Sequence, residues 1–337
     1  MSADPQATPG NPDDPRRDQA RDFALQALVL SDAAFEPAST DASFRRYFRL
    51  SAGERSWIVM DAPPAQEDCA PFIRIAGMME QAGLHVPKVL AQDLQRGYLL
   101  LSDLGRQTWL NVISEANADA LFASAIDALL RWQLASKPGV LPAFDEPLLR
   151  RELALFPDWY VARHLRSVFT TEQSAIWNHV QGLLVKSALA QPQVYVHRDY
   201  MPRNLMLSTP NPGVLDFQDA VYGPISYDAV SLLKDAFLSW PQQRVETWAR
   251  QYWQRARDAG LPVREDFDAF FQDFEWMGVQ RHLKVLGIFA RIHYRDGKPK
   301  YLADTPRFVR YLRQTATRYA GLAPLLRLFD ELGLIEG

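Results

Sequence analysis

An apolar stretch, Val194-Tyr195-Val196, runs directly into His197-Arg198-Asp199-Tyr200-Met201-Pro202-Arg203-Asn204. Two further apolar segments follow, Leu205-Met206-Leu207 and Val214-Leu215, separated by Pro210-Asn211-Pro212-Gly213 and released into Asp216-Phe217. A strand, a polar loop, a hairpin and a terminal acid in this order and spacing are a demanding combination. The Pro/Gly punctuation predicts a tight turn between the two short strands. Asn204 then enters one strand and Asp216 leaves the other, so both come to the same end of the hairpin. The strand before the loop holds Asp199 in a short, exposed turn.

These residue types suit one kind of chemistry. A fixed, exposed carboxylate can accept the proton of a substrate hydroxyl. An amide oxygen and a carboxylate at one hairpin end are hard oxygen donors of the kind magnesium takes from protein, its remaining ligands coming from phosphate and water. Orienting a hydroxyl and neutralising charge between phosphates are the two tasks of phosphoryl transfer, so Asp199 is expected as the base and Asn204 and Asp216 as Mg2+ ligands.

At 337 residues, 47% hydrophobic and 23% charged, the chain is long enough for two lobes. Its formal net charge of -3 lacks the basic excess of a phosphate-tracking surface, which disfavours nucleic acid as a partner. Cys69 is the only cysteine, which excludes an internal disulfide and fits a reducing compartment. Residues 1–17 are rich in Pro, Asp and Ala, without the apolar run of a signal peptide, and no stretch reaches transmembrane length. A disordered tail on a cytoplasmic protein, with no membrane association and no evident obligate protein partner, is expected.

Helical periodicity starts near Asp18. Residues 43–50 alternate Phe44, Arg46, Phe48 and Leu50 with Arg45, Tyr47 and Arg49, and turn at Ala52-Gly53 into Trp57-Ile58-Val59-Met60, which predicts a hairpin. A helix capped by Asp68 ends at Gly83, and strands are expected at 88–91 and 97–101. Beyond Gly105 the pattern is helical around 115–135, 146–166, 172–189, 226–239, 242–258, 266–293 and 305–331. The fold class is therefore α+β, with a small sheet lobe over 18–104 and a helical lobe bearing the 193–217 motif over 105–337.

Over nearly its whole length the chain resembles the aminoglycoside-phosphotransferase-like, kinase-fold family. The resemblance rests on His197-Arg198-Asp199 with Asn204, Val214-Leu215-Asp216-Phe217, Gly223-Pro224 with Tyr227-Asp228, and Tyr98-Leu99-Leu100-Leu101-Ser102-Asp103-Leu104-Gly105. It implies a two-lobed protein-kinase-like fold with ATP and Mg2+ as cofactors, in which the lobe over 18–104 binds nucleotide and the lobe over 105–337 carries the catalytic loop and the acceptor site. Further stretches, among them Asp41-Ala42-Ser43-Phe44-Arg45-Arg46-Tyr47-Phe48 and Val59-Met60-Asp61-Ala62-Pro63-Pro64, are similar to the bacterial anomeric sugar kinases of cell-wall recycling. Those enzymes phosphorylate the anomeric hydroxyl of N-acetylmuramate and N-acetylglucosamine, which implies a small-molecule sugar acceptor and a sugar 1-phosphate product. The resemblance gives the segment Leu100, Leu101, Ser102 and Asp103 the backbone that meets adenine. It makes His197 and Asp228 supports of the catalytic loop, with a plain helix cap as the other reading of Asp228. A kinase for an amino alcohol or aminoglycoside, and a non-catalytic ATP-binding module, are the competing functions.

Two features depart from the family pattern. The slot of the third-strand lysine is held by Met60, and Ser39-Thr40-Asp41-Ala42-Ser43 replaces a Gly-rich loop. If Phe48 faces adenine, alternation puts Arg46 on the same face, nearer the phosphates; the other reading of Arg46 is a solvated sheet edge. Basic residues far outnumber acids between Trp276 and Gln314. Helical spacing puts Arg281, Lys284 and Arg291 on one face of the late helix, directed away from the core. A carboxylate on the acceptor would be drawn to Arg281 or Arg291, with Arg203 as the alternative; otherwise this is a solvated face.

Overall fold

The computed structural model describes residues 14–39 and 44–335. The chain divides into two units, one formed by residues up to 107 together with 206–219, the other by 108–205 with 220–337. Thr40 to Ser43, which stand in the place of a Gly-rich loop, lie outside the described residues, as do residues 1–13.

In the first unit Asp14 accepts the Arg17 N–H at 3.1 Å, and Pro15, whose missing N–H is no loss at a helix start, opens helix α1 (Pro15–Leu28). The helix thus begins three residues earlier than its periodicity suggested, and the expected tail is folded from Asp14 onward. The strands β1 (Ala34–Ser39), β2 (Arg46–Ala52), β3 (Arg55–Asp61), β4 (Val89–Asp93) and β5 (Tyr98–Ser102) form one antiparallel sheet in the order β1-β2-β3-β5-β4. Strand β1 escaped the sequence reading because Pro37 interrupts its pattern; an edge strand tolerates a proline. Between β3 and β4 lies α2 (Ala70–Gln81), whose first free N–H is taken by the Asp68 carboxylate.

One face of this sheet carries Phe48, Leu50, Val59, Tyr98 and Leu100, packed on Ala20, Phe23, Ala24 and Leu25 of α1. Phe48, Leu50, Val59 and Leu100 each contribute about 1.5–3 kcal/mol by burial, the alanines less. The face expected to meet adenine is therefore the one that α1 covers. The Phe48 ring and the Leu100 side chain are part of this core, so Phe48 does not offer its ring on an open face, while the expectation for Leu100 concerned its backbone and is untouched by that burial. Arg46 shares that face and is committed as well. Its Nε lies 2.9 Å from Asp61 Oδ2, it pairs with Asp14, and Arg16 holds the other oxygen of the fully buried Asp61 at 2.5 Å. It clamps α1 to the sheet through Asp14 and Asp61.

The second unit contains α3 (Trp109–Val112), α4 (Ala118–Leu134), α5 (Glu146–Leu153), a π-helical stretch (Phe156–His164) and α6 (Thr171–Leu189). Strand β6 (Gln193–Val196) then leads to the loop 197–204, after which the pair β7 (Leu205–Met206) and β8 (Gly213–Val214) forms the predicted hairpin, whose residues from 206 onward count with the first unit. Strand β9 (Val221–Pro224) pairs antiparallel with β6. It was unread because four residues ending Gly-Pro leave no alternation to see. The helices α7 (Tyr227–Leu233), α8 (Gln242–Asp258), α9 (Phe267–Asp296), α10 (Thr305–Arg318) and α11 (Ala323–Glu331) follow. Expected helix 146–166 is two segments, and 305–331 breaks at Tyr319. Gly287 lets the backbone at Leu155 lie against α9, since a Cβ there would meet the Leu155 carbonyl oxygen at 2.2 Å.

Candidate active site

Strand β6 delivers His197 into the interior, and the next two residues turn back sharply, with Arg198 at φ +78°. The turn is over-determined by hydrogen bonds. The Asp228 carboxylate, wholly buried in the first turn of α7, accepts the His197 N–H at 2.6 Å and the Arg198 N–H at 3.0 Å. Asp228 therefore grips the loop backbone. Burial pushes its carboxyl up to about 7, opposed by those two N–H groups; the neighbouring Asp199 charge adds to the rise and Arg281 counters it.

His197 Nδ1 accepts the Asp199 N–H at 3.2 Å, which places the ring proton of a neutral His197 on Nε2. Tyr200, stacked edge-on against His197, donates to the Ala125 carbonyl at 2.8 Å and so pins the loop to α4. A 3-10 turn, Pro202–Asn204, then brings the Asn204 amide back, and its Nδ2 donates to the Asp199 carbonyl at 2.9 Å. With the nitrogen so used, the oxygen is the end of the amide suited to a cation. His197, Asp199, Asn204 and Asp228 are thus brought together within one unit.

Asp216 belongs to the sheet unit. It follows β8 with φ +62°, and its Oδ1 accepts from Gln218 Nε2 at 2.9 Å. Phe217 beside it is fully buried and packs on Phe72 of α2, with ring centroids 4.9 Å apart. The hairpin is tied to the same unit by Val214 N–H donating to the His85 carbonyl and Leu207 N–H to that of Gln107.

On the sheet face away from α1, Met60 is fully buried and Arg49 binds Asp103 through Nε at 2.6 Å. Asp103 also accepts from Ser56 Oγ and the Gly105 N–H, so its side chain shapes the segment after β5. Ser102 Oγ accepts the Lys88 N–H. Lys88, the one lysine of the first hundred residues, pairs with Glu80 on the surface. Arg45 pairs with Glu67 at 3.0 Å.

The basic stripe of α9 does not face outward. Arg281 is 2% exposed, 3.9 Å from Met201 Sδ through Nη2, and its charge acts on Asp228 and Asp235. Lys284 is buried against Glu152. Both lie inside because acids on other elements compensate them, which a helical pattern cannot reveal. Arg291 is half-buried, and burial lowers its pKa. Arg203 sits over the Phe237 ring at 5.2 Å. Glu152 was missed altogether, although it falls three residues after Leu149 and beside Leu153, on the apolar side of α5. A carboxylate at that spacing was the available signal.

Residues 34–267 match the model of the phosphotransferase enzyme family, and the chain belongs to that family. It is a phosphotransferase enzyme with a kinase-like fold. Among its relatives, the N-acetylmuramate/N-acetylglucosamine kinase of Pseudomonas aeruginosa is 60% identical over 296 residues, 88% of each chain. The protein of the same name from Neisseria meningitidis is 50% identical over 300 residues, 88% of this chain and 89% of that one. The fold is shared with choline kinase LicA from Streptococcus pneumoniae, with a TM-score of 0.64 at 13% identity over 88% of this chain and 99% of that one. It is shared too with the ADP-bound aminoglycoside phosphotransferase APH(2'')-Ib, with a TM-score of 0.58 at 12% identity over 88% and 98%. Among the described residues, no helix is long and apolar enough to cross a membrane.

Proposed function

We propose that this enzyme transfers the γ-phosphoryl group of ATP to the anomeric hydroxyl of N-acetylmuramate and N-acetylglucosamine, giving the sugar 1-phosphate. The observation that carries the reading is the loop geometry: Asp199 is held between the Asp228 grip on the two preceding N–H groups and the Asn204 tie to its own carbonyl. A carboxylate so fixed suits the task of orienting an acceptor hydroxyl and accepting its proton as the phosphoryl group departs. The two sugar-kinase relatives support the choice of acceptor.

The Asn204 amide oxygen and the Asp216 carboxylate fit magnesium, being hard oxygen donors with the amide nitrogen already committed. Held by donors of this kind, the ion would neutralise charge between the phosphates. Adenine would meet the backbone around Leu101, Ser102 and Asp103, whose geometry the Arg49–Asp103 pair stiffens. Arg203, next to Asn204, is assigned the acidic acceptor's carboxylate, and the buried Arg281 is withdrawn from that role. The setting is the return of cell-wall sugars to a phosphorylated pool in the cytoplasm, where ATP is available.

ADP release measured over a panel of sugars, amino alcohols and aminoglycosides, with and without Mg2+, tests the reading. Turnover should require Mg2+ and an amino sugar with a free anomeric hydroxyl, and Asn204→Ala should abolish it in a folded protein. Turnover of a 1-O-methyl glycoside at the same rate would refute the anomeric assignment. Arg203→Ala should lower kcat/KM for N-acetylmuramate by about 10–100-fold, the worth of one charge-assisted bond, and spare N-acetylglucosamine.

A further inference from the structure

Arg198 occupies a backbone conformation that side chains with a Cβ rarely adopt, at φ +78°, immediately before Asp199. Such a conformation costs about 1–3 kcal/mol and persists only where its surroundings impose it. Asp228 accounts for the backbone side of that restraint. The side chain has a separate anchor. Its Nη2 donates to Glu152 Oε1 at 2.5 Å, and its guanidinium lies 5.9 Å from the centre of the Phe144 ring.

Glu152 is buried on α5, and its carboxylate is shared by three donors. Arg198 and Lys284 Nζ, the latter at 2.9 Å, approach Oε1, while Gln280 Nε2 donates to Oε2 at 3.0 Å. Lys284 Nζ in turn donates to the Tyr227 hydroxyl at 3.1 Å. Burial alone would raise the Glu152 carboxyl, but the two cations hold it below its ordinary value; burial alone would lower the Lys284 ammonium, but Glu152 holds it above. Both members are therefore charged. The Asp199 carboxylate acts on Arg198 and Lys284 alike.

We propose that Glu152 is a positioning residue: through Arg198 it fixes the strained turn that carries Asp199, with Lys284 and Gln280 of α9 holding the mount rigid. The turn is thereby gripped twice, at its backbone from α7 and at its side chain from α5. This rests on Asp199 acting as the base.

Arg198→Ala is the informative variant, because Glu152 keeps Lys284 and Gln280 and the buried carboxylate stays compensated. In the full-length enzyme, kcat should fall about 10–100-fold, the effect of a displacement of about 1 Å at the reacting group, while KM for ATP and for sugar stay within about two-fold. Arg198→Lys should recover part of the loss. Glu152→Gln leaves the Lys284 ammonium without a counter-charge and is at risk of misfolding, so Glu152→Gln/Lys284→Met serves as its partner. Combined with Arg198→Ala, that pair should lower kcat no further, since residues of one mount are not additive. Additive losses, an unchanged kcat with unchanged amide exchange, or a rise in KM for ATP alone would overturn the mount. Hydrogen exchange at the His197 and Arg198 amides separates the two readings: faster exchange with an unchanged kcat would leave the mount standing and remove Asp199 as the base.

Discussion

Replacing Asp228 by Asn should make the enzyme slower and, above neutral pH, more stable. The carboxylate is fully buried, and burial lifts it from the ordinary 3.8 to about 7. At about 1.4 kcal/mol per pH unit, holding it ionised costs the folded state about 4 kcal/mol. Because the folded pKa lies above the unfolded one, the contribution of this group to stability is complete below about pH 4 and is lost as pH rises through about 7. Asn does not titrate. It keeps one acceptor oxygen for the two N–H groups of His197 and Arg198 and turns an NH2 toward the other, leaving a buried donor unmet at about 1–3 kcal/mol. The two effects nearly offset one another at pH 5. By pH 8 the balance should have moved about 2–3 kcal/mol toward the Asn variant. Denaturant melts of both proteins at pH 5 and pH 8 measure this, and the same preparations give kcat, expected about 10–100-fold lower because the loop is no longer gripped at both amides. A stability difference that is the same at both pH values would refute the argument that an ionised Asp228 is held against its own desolvation. A wild-type kcat would refute the role of that grip in placing Asp199.

Asp199→Asn should retain the fold and lower kcat by about 10²–10⁴-fold, the range of a positioned base; a change confined to KM for ATP would make Asp199 a nucleotide contact. Arg46→Ala should cost about 1–2 kcal/mol of stability in a denaturant melt by loosening the clamp on Asp61, yet leave KM for ATP within about two-fold, and a ten-fold rise would restore it as a phosphate ligand. Gly287→Ala should cost about 3 kcal/mol, since the added carbon would sit 2.2 Å from a backbone oxygen that cannot swing aside. Stability equal to the parent would show that α9 can shift away from Leu155.

The clustering of His197, Asp199, Asn204 and Asp228 was legible because the proposed chemistry prescribes residue types at fixed spacing, and the hairpin after it because proline and glycine mark turns whatever surrounds them. Strand β2 shows the limit of such reasoning. Alternation correctly separated Arg46, Phe48 and Leu50 from Tyr47 and Arg49, but which of the two faces α1 packs on is not encoded in the strand itself. The α9 stripe failed for a related reason. Arg281 and Lys284 have the spacing of a solvated face, and only the distant acids Glu152, Asp228 and Asp235 make the interior tolerable for them. On α9 itself this long-range compensation leaves no periodic trace; its one sequence sign is the carboxylate of Glu152 on the apolar side of α5.

The sheet unit is not one continuous piece of chain. It lacks residues 206–219 until the chain has passed through nearly a hundred residues of the other unit. Those late residues supply Phe217 against Phe72 and the Val214 N–H to His85. During synthesis the amino-terminal part must therefore wait, with Phe72 uncovered, until position 219 has left the ribosome. A gene cut after codon 107 would leave that fragment without its closing segment, and a split enzyme would have to be divided elsewhere, beyond the last crossing of the chain.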